Sequence, residues 1–202
     1  MGGFGGVEGL AAFLARERIG GVVDATHPFA SRMSANALAA CRATDTPLVA
    51  FTRPPWKRES GDCWIEAATM DDAVTALGPQ PKTVFLTQGR LQLAAFARAP
   101  QHRYIVRAID RPAEIGALPH CKLILARGPF SLADELQLMK RERIETLVTK
   151  NSGGRATYAK IEAARALDIE VVILRRPSAP EAETLYDLDA VLAWIRAHRR
   201  AP

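Results

Sequence analysis

Short apolar runs alternate along this chain with stretches in which apolar residues recur every three or four positions. The runs rich in Val, Ile and Leu predict strands at 21–25 (GVVDA), 47–51 (PLVAF), 63–67 (CWIEA), 83–87 (TVFLT), 103–109 (RYIVRAI), 122–127 (KLILAR), 146–150 (TLVTK) and 171–176 (VVILRR). They are apolar at consecutive positions, as strands covered on both faces of a parallel sheet are. Helical spacing predicts helices at 7–18, 31–44, 70–77, 91–98, 131–143, 155–167 and 188–198. A βαβα alternation of this kind gives an α/β fold with right-handed crossovers.

Breaks in the pattern divide the chain. Gly78–Lys82 (GPQPK) sets two prolines and a glycine between a short helix and a new strand, and predicts a boundary between a domain at 1–80 and one at 81–202. RRPSAPEAETLYD reads as a Pro-rich connection into the last helix. The opening MGGFGG stands directly before a helix with no strand ahead of it. The first domain is therefore expected to be incomplete, lacking an upstream βαβ portion.

Length and composition narrow the class. The 202 residues suffice for one large α/β domain or two small ones. Hydrophobic residues make up 48% and charged residues 24%, the balance of a soluble globular protein, and no apolar run reaches membrane-span length. With no signal-peptide pattern, the expected compartment is the cytoplasm. Cys41, Cys63 and Cys121 are widely spaced, which argues against a disulfide framework or zinc site and for small buried or half-buried thiols. His27, His102, His120 and His198 form no ligand-like pair, so no metal is expected. The net charge of +5 favours acidic partners. No recognition helix, RNA-binding signature or lysine-rich block with aromatics points to nucleic acid.

In open α/β sheets ligands gather beyond the carboxyl ends of the strands. The predicted strand ends carry Thr26-His27-Pro28, Thr52-Arg53-Pro54-Pro55-Trp56, Gln88-Gly89-Arg90, Arg107, Arg127-Gly128-Pro129-Phe130 and Lys150-Asn151-Ser152-Gly153-Gly154. Nearly every one offers a cation, a small hydroxyl or a glycine. TKNSGG has the logic of a phosphate cradle, with glycines for close backbone approach, a helix start behind them and Lys150 as a point charge. It lacks P-loop spacing and reads equally as a helix capped by Ser152. His27 taken singly is a capping or core-edge histidine before it is a ligand. Pro28 holds it extended, Thr26 or Ser31 can cap the next helix, and Arg32 and Asn36 share one helical face. GGFGG lacks the GxGxxG spacing, and there is no nucleophile elbow, HExxH or Ser/His/Asp arrangement. A basic, nucleophile-poor cleft suits hydride transfer from a phosphate-bearing cofactor to an acidic substrate.

Two long motifs, VVDATHPFASRMSANA (22–37) and LVTKNSGGRATYAKIEAARALDIEVVILRRP (147–177), closely resemble the precorrin-6A reductase family of cobalamin (vitamin B12) biosynthesis. GGFGGVEGLAAFL, FTRPPW, FLTQGR, YIVRAID and ARGPFSLADE follow the same family in the same order. The resemblance implies two Rossmann-like parallel-sheet domains with NADPH and the macrocycle in a cleft between them. It implies reduction of one double bond of precorrin-6A to give precorrin-6B, and hand-over to other cobalamin-pathway enzymes. The family usually begins with a strand and a Gly-rich loop, a βαβ unit of roughly 30 residues that has no counterpart here. A truncated or misassigned start, or a form with lowered affinity for NADPH, is expected from that departure.

By position, the resemblance puts Thr26, His27 and Pro28 near the nicotinamide, followed by Arg32 and Asn36. Thr87, Gly89, Arg90 and Arg107 form the opposite wall. Lys150, Asn151, Ser152 and Gly153 contact cofactor or substrate, with Tyr158 and Lys160 beside them. Arg53, Arg127 and Phe130 face the macrocycle and its carboxylates. His27 and Lys150 are the candidate proton donors, with water as the third source. The competing reading is a non-catalytic form that holds tetrapyrrole or nucleotide without turnover. A generic NAD-dependent epimerase or dehydrogenase lacks its fingerprint here.

Overall fold

The computed structural model describes residues 4–87, 93–178 and 181–198. The chain forms two compact units, one of residues 1–54 with 177–202 and one of residues 55–176. The boundary expected near residue 80 is not where the chain divides: Gly78–Lys82 lies inside the second unit. The chain instead crosses at Pro54/Pro55 and at Arg176/Pro177, so both crossings fall at prolines.

The first unit holds α1 (Gly6–Arg16), β1 (Val22–Asp24), α2 (Ser31–Ala43), β2 (Leu48–Phe51), β9 (Glu183–Leu185) and α6 (Leu188–Ala197). Its sheet is parallel, in the order β1-β2-β9. Leu10 and Leu14 of α1 pack on Ala40 and Cys41 of α2, and Val22 and Leu48 close the cluster from the sheet. β9 lies in the stretch expected to be connection. Its three residues carry no strand pattern of their own and are held by pairing with β2.

The second unit holds β3 (Trp64–Ala67), α3 (Met70–Ala76), β4 (Thr83–Leu86), β5 (Arg103–Ala108), β6 (Cys121–Leu125), α4 (Leu132–Glu142), β7 (Thr146–Lys150), α5 (Ala159–Ala166) and β8 (Glu170–Leu174). All six strands are parallel, in the order β3-β8-β7-β4-β5-β6. The central strands read as unbroken apolar runs because helices cover both faces. Val84, Phe85, Leu86, Leu147, Val148 and Val172 are fully buried. The edge strands are more open: β3 is buried only at its two ends, and β6 is half-buried or exposed throughout. Thr69 and Asp72 form a reciprocal capping box on α3, and Ser131 and Asp187 cap α4 and α6. The described part of the helix expected at 91–98 is a 3₁₀ helix, Leu93–Arg98. Cys41 is buried and Cys121 half-buried as expected, but Cys63 is exposed. No helix of the described residues is long and apolar enough to cross a membrane.

At the amino ends of β5 and β6, Glu142 closes α4 against the sheet. Its carboxylate meets Lys122 Nζ at 2.7 Å, Arg103 Nη2 at 3.0 Å and Arg141 Nε at 3.1 Å. These cations, Lys122 first, hold the carboxyl down from 4.5 to about 2. A depressed carboxyl contributes its stability above the unfolded pKa and loses it as pH falls through the folded one. Glu142→Gln is therefore expected to cost about 1.5–3 kcal/mol at pH 7, the range for hydrogen bonds to charged groups. In urea unfolding the gap between wild type and variant narrows as pH falls from 4.5 towards 2. A gap that stays constant with pH would refute the assignment.

Candidate functional site

The sheet of the second unit has a topological switch point between β4 and β7. From β4 the chain moves outward through β5 and β6, and from β7 it moves the other way to β8. The helices leaving such a pair part company, which opens a crevice above the carboxyl ends of the two strands. Thr87 follows β4 and Lys150 ends β7. Thr87 N and Oγ1 both donate to Val148 O, at 3.1 and 3.2 Å, tying the two strand ends together. Gly89 and Arg90, the other two residues expected here, lie outside the described residues.

The loop after Lys150 is built more tightly than its glycines suggest. Asn151 Oδ1 accepts from Trp56 N at 2.8 Å, and Asn151 Nδ2 donates to Trp56 O at 3.0 Å. One amide side chain thus pairs with both backbone groups of one residue, as a neighbouring strand would. Trp56 Nε1 donates to Gly154 O at 2.7 Å, closing the clamp on the far side of the loop. Arg176, just past β8, donates from Nε to Asn151 O at 2.9 Å and from Nη2 to Ser152 O at 3.0 Å. In a planar trans peptide the N–H points away from the C=O, so the amide of Gly153 points away from Arg176. Gly153 and Gly154 have φ of 67° and 72°, a left-handed pair that glycine adopts without strain.

Ser152 does not cap a helix, which was one of the two readings of TKNSGG. Its amide donates to Lys150 O at 2.7 Å, and α5 begins only at Ala159. Burial lowers the pKa of the half-buried Lys150 amine.

Three residues expected to face substrate are engaged within the unit. Tyr158 donates its hydroxyl to Glu59 Oε1 at 2.8 Å and accepts from Arg165 Nη2 at 2.8 Å. Lys160 is buried, its amine 5.6 Å from the centre of the Trp56 ring. Burial first, then the charge of Arg107, pushes that amine down to about 7. Arg107 is also buried, and it spends its fork on Glu135: Nη1 to Oε2 at 3.0 Å, Nη2 to Oε1 at 2.7 Å. Phe130 is half-buried and stacks on that guanidinium, while Arg127 is exposed.

In the first unit, β1 delivers Asp24 to the start of the Ala25–Ala30 turn. Asp24 Oδ1 accepts from Thr26 N at 3.0 Å, and His27 O accepts from Ala30 N at 2.7 Å. His27 Nδ1 accepts from Phe29 N at 3.2 Å, which assigns the proton of the neutral imidazole to Nε2. His27 and Thr26 are exposed and Pro28 half-buried. Neither Thr26 nor Ser31 caps α2: the cap position is Ala30, without a side-chain bond, and Thr26 Oγ1 lies 3.2 Å from Ser34 Oγ. Arg32 is exposed and Asn36 half-buried on α2, and Arg53 is exposed beyond β2. A cavity of about 290 Å³ is lined in part by Phe13, Val23, Asp24, Thr26 and Met33.

The sequence reading placed Trp56 beyond a strand end without giving it a role, and missed Arg176 and Glu135. Arg176 had a signal, a guanidinium closing the strand predicted at 171–176, whose observed counterpart β8 ends at Leu174. Glu135 had none beyond an acid in the first turns of a helix, which the helix dipole explains by itself. Among the described residues no group of three or more His, Cys, Asp or Glu could hold a metal ion.

Comparison with known proteins gives one answer at every level. The family model described as "Precorrin-6x reductase CbiJ/CobK" matches residues 1–196. A precorrin-6A reductase of Rhodobacter capsulatus is 43% identical over 202 residues, covering 100% of this chain and 80% of the relative. One from Sinorhizobium sp is 45% identical over 202 residues, covering 100% of this chain and 77% of its own length. The solved structure titled "CobK precorrin-6A reductase" matches with a TM-score of 0.95 at 43% identity, over 100% of this chain and 82% of that one.

Proposed function

The chain belongs to the precorrin-6x reductase family, and from that membership we propose that it reduces one double bond of precorrin-6A to give precorrin-6B with NADPH as reductant. The observation that carries the reading to this chain's own residues is the loop at the β4/β7 switch point. It ends a central strand on a lysine, turns on two left-handed glycines, and has two carbonyls tied back by Arg176. Amide donors beside an ammonium fit a phosphate-bearing cofactor. NADPH, when bound, supplies the hydride.

Lys150, Ser152 and Gly153 hold phosphate or substrate anions. Asn151 shapes the loop rather than touching ligand, since both ends of its amide are on Trp56. Thr26, His27 and Pro28, with Arg32 and Asn36 behind them, are assigned to cofactor binding. Thr87 lies at the switch point, its hydroxyl on Val148 O. Reduction also needs a proton on the carbon next to the one that takes hydride. Lys150 Nζ and His27 Nε2 are the protein groups suited to give it. For the macrocycle's carboxylates, the exposed Arg53 and Arg127 fit, with Phe130 against the ring. Arg107, Tyr158 and Lys160 shape the site instead.

The test is NADPH consumption by this chain with and without precorrin-6A. One NADPH is expected per precorrin-6A, with a product two hydrogens heavier. Tight binding of both ligands without turnover would favour the non-catalytic reading and overturn this one.

A further inference from the structure

The geometry points to Arg107, Glu135 and Phe130 as a positioning unit that fixes the loop carrying Arg127, so that Arg107 serves the substrate only through that loop. The proposal rests on the reductase reading and deepens it by naming what holds one wall of the substrate site.

Four observations support it. Phe130 immediately precedes Ser131, the cap of α4, and Glu135 is the fourth residue of the helix. These are the two positions that a hydrophobic staple joins directly to fix the angle at which a chain runs into a helix. Here one member is a carboxylate, and the two meet through a third residue. Arg107, near the end of β5, offers its guanidinium face to the Phe130 ring at 3.7 Å and its fork to Glu135. A second ring, Phe85 of β4, lies 4.9 Å from the same guanidinium.

Burial makes the joint specific. The side chains of Arg107 and Glu135 are 8% and 1% exposed, so each charge depends on the other. The planar fork is what both contacts need. A lysine ammonium can neither pair bidentately nor stack. Beyond the joint the chain is open: Arg127, Gly128 and Pro129 are all exposed. The joint therefore sets where an exposed cation and a half-exposed ring stand at the end of β6. Lys160, also buried, is near enough for both charges to act on its amine, Arg107 lowering its pKa and Glu135 raising it.

Two variants test this without stranding a buried acid or base of the opposite sign. Phe130→Leu removes the ring and leaves the ion pair. Arg107→Lys keeps the charge and loses the fork and the stack. Hydrogen exchange of the Asp134 and Glu135 amides, which bond back to Ser131 at the end of the loop, and steady-state kinetics with precorrin-6A are measured for each and for the double variant. Both single variants are expected to speed exchange about tenfold and raise KM about tenfold, a 1.4 kcal/mol loss, and Arg107→Lys, which removes no substrate contact, keeps kcat within about twofold. The double variant is expected to be no worse than the poorer single one, because coupled contacts are not additive.

A raised KM in Arg107→Lys with unchanged exchange, or effects that multiply in the double variant, would overturn the proposal and make Arg107 a substrate contact. Unchanged exchange in Phe130→Leu would overturn it too. Exchange reads the joint without substrate, so a chain that fails to reduce precorrin-6A would count against the reductase reading alone.

Discussion

Lys150→Met is expected to lower kcat for precorrin-6A reduction by about 10²–10⁴-fold, the contribution of a positioned general acid. Lys150 closes β7 at the switch point, where the sheet itself opens a crevice. The loop behind it is clamped by Trp56 and Arg176, so the backbone that carries the ammonium is fixed. Burial lowers its pKa from the ordinary 10.5. A lowered pKa makes the proton easier to give, which is what an acid at neutral pH requires. The sign of the pH dependence follows. The acid form prevails below the lowered pKa, so kcat falls on the alkaline side at a pH below 10.5.

Lys150→Arg separates proton transfer from charge. Arginine keeps the cation for a phosphate but does not release its proton. If Lys150 is the acid, the arginine variant loses kcat as the methionine variant does, and the alkaline limb disappears. If it keeps kcat and shifts only KM for NADPH, Lys150 is a phosphate ligand and the acid must be sought at His27. His27→Gln then becomes the decisive variant, because the Phe29 amide leaves Nε2 as the ring's donor.

The local part of this architecture is legible in the sequence, and the non-local part is not. All eight predicted strands are present, with ends displaced by at most two residues. The apolar runs of the central strands β4, β7 and β8 record burial on both faces, which is a local signal. β9 is different: Glu183–Leu185 is a strand only because β2 offers it a ladder. The domain boundary failed for the same reason. GPQPK, RPPW and RRPSAP are all proline breaks, and proline reports a break in secondary structure without saying which sheet the chain enters next. Pairing of β3 with β8 keeps GPQPK inside one unit. For the candidate site, the sequence offered only residue types at strand ends. They did not distinguish cations turned to solvent, such as Arg127, from cations already matched by an acid, such as Arg107. That distinction depends on Glu135, which lies 28 residues further along the chain.

Asn151→Asp is the sharpest test of the clamp, because it changes a single group. The side chain keeps Oδ1, which accepts from Trp56 N at 2.8 Å. It replaces the Nδ2 donor, 3.0 Å from Trp56 O, with a second acceptor. At neutral pH a carboxylate then faces a carbonyl in a part-buried setting. The expected loss of stability is about 2–4 kcal/mol: a lost hydrogen bond, an unsatisfied acceptor and their mutual repulsion. Trp56 is buried and packs in the core of the second unit, so the loss appears in the urea midpoint as well as in activity. Protonation restores a donor. The folded state therefore binds the proton more tightly than the unfolded one, and the introduced carboxyl's pKa rises above its unfolded value of about 3.9. A raised folded pKa means that stability is present below the unfolded value and is lost as pH rises through the folded one. Stability relative to wild type is therefore expected to recover on acidification towards pH 4 and to fall again at neutral pH. Asn151→Ala removes both bonds and carries no proton, so its deficit stays constant across the same range. If the aspartate variant matches wild type at pH 7, Asn151 does not hold Trp56, and the loop owes its shape to Arg176 and the glycines alone.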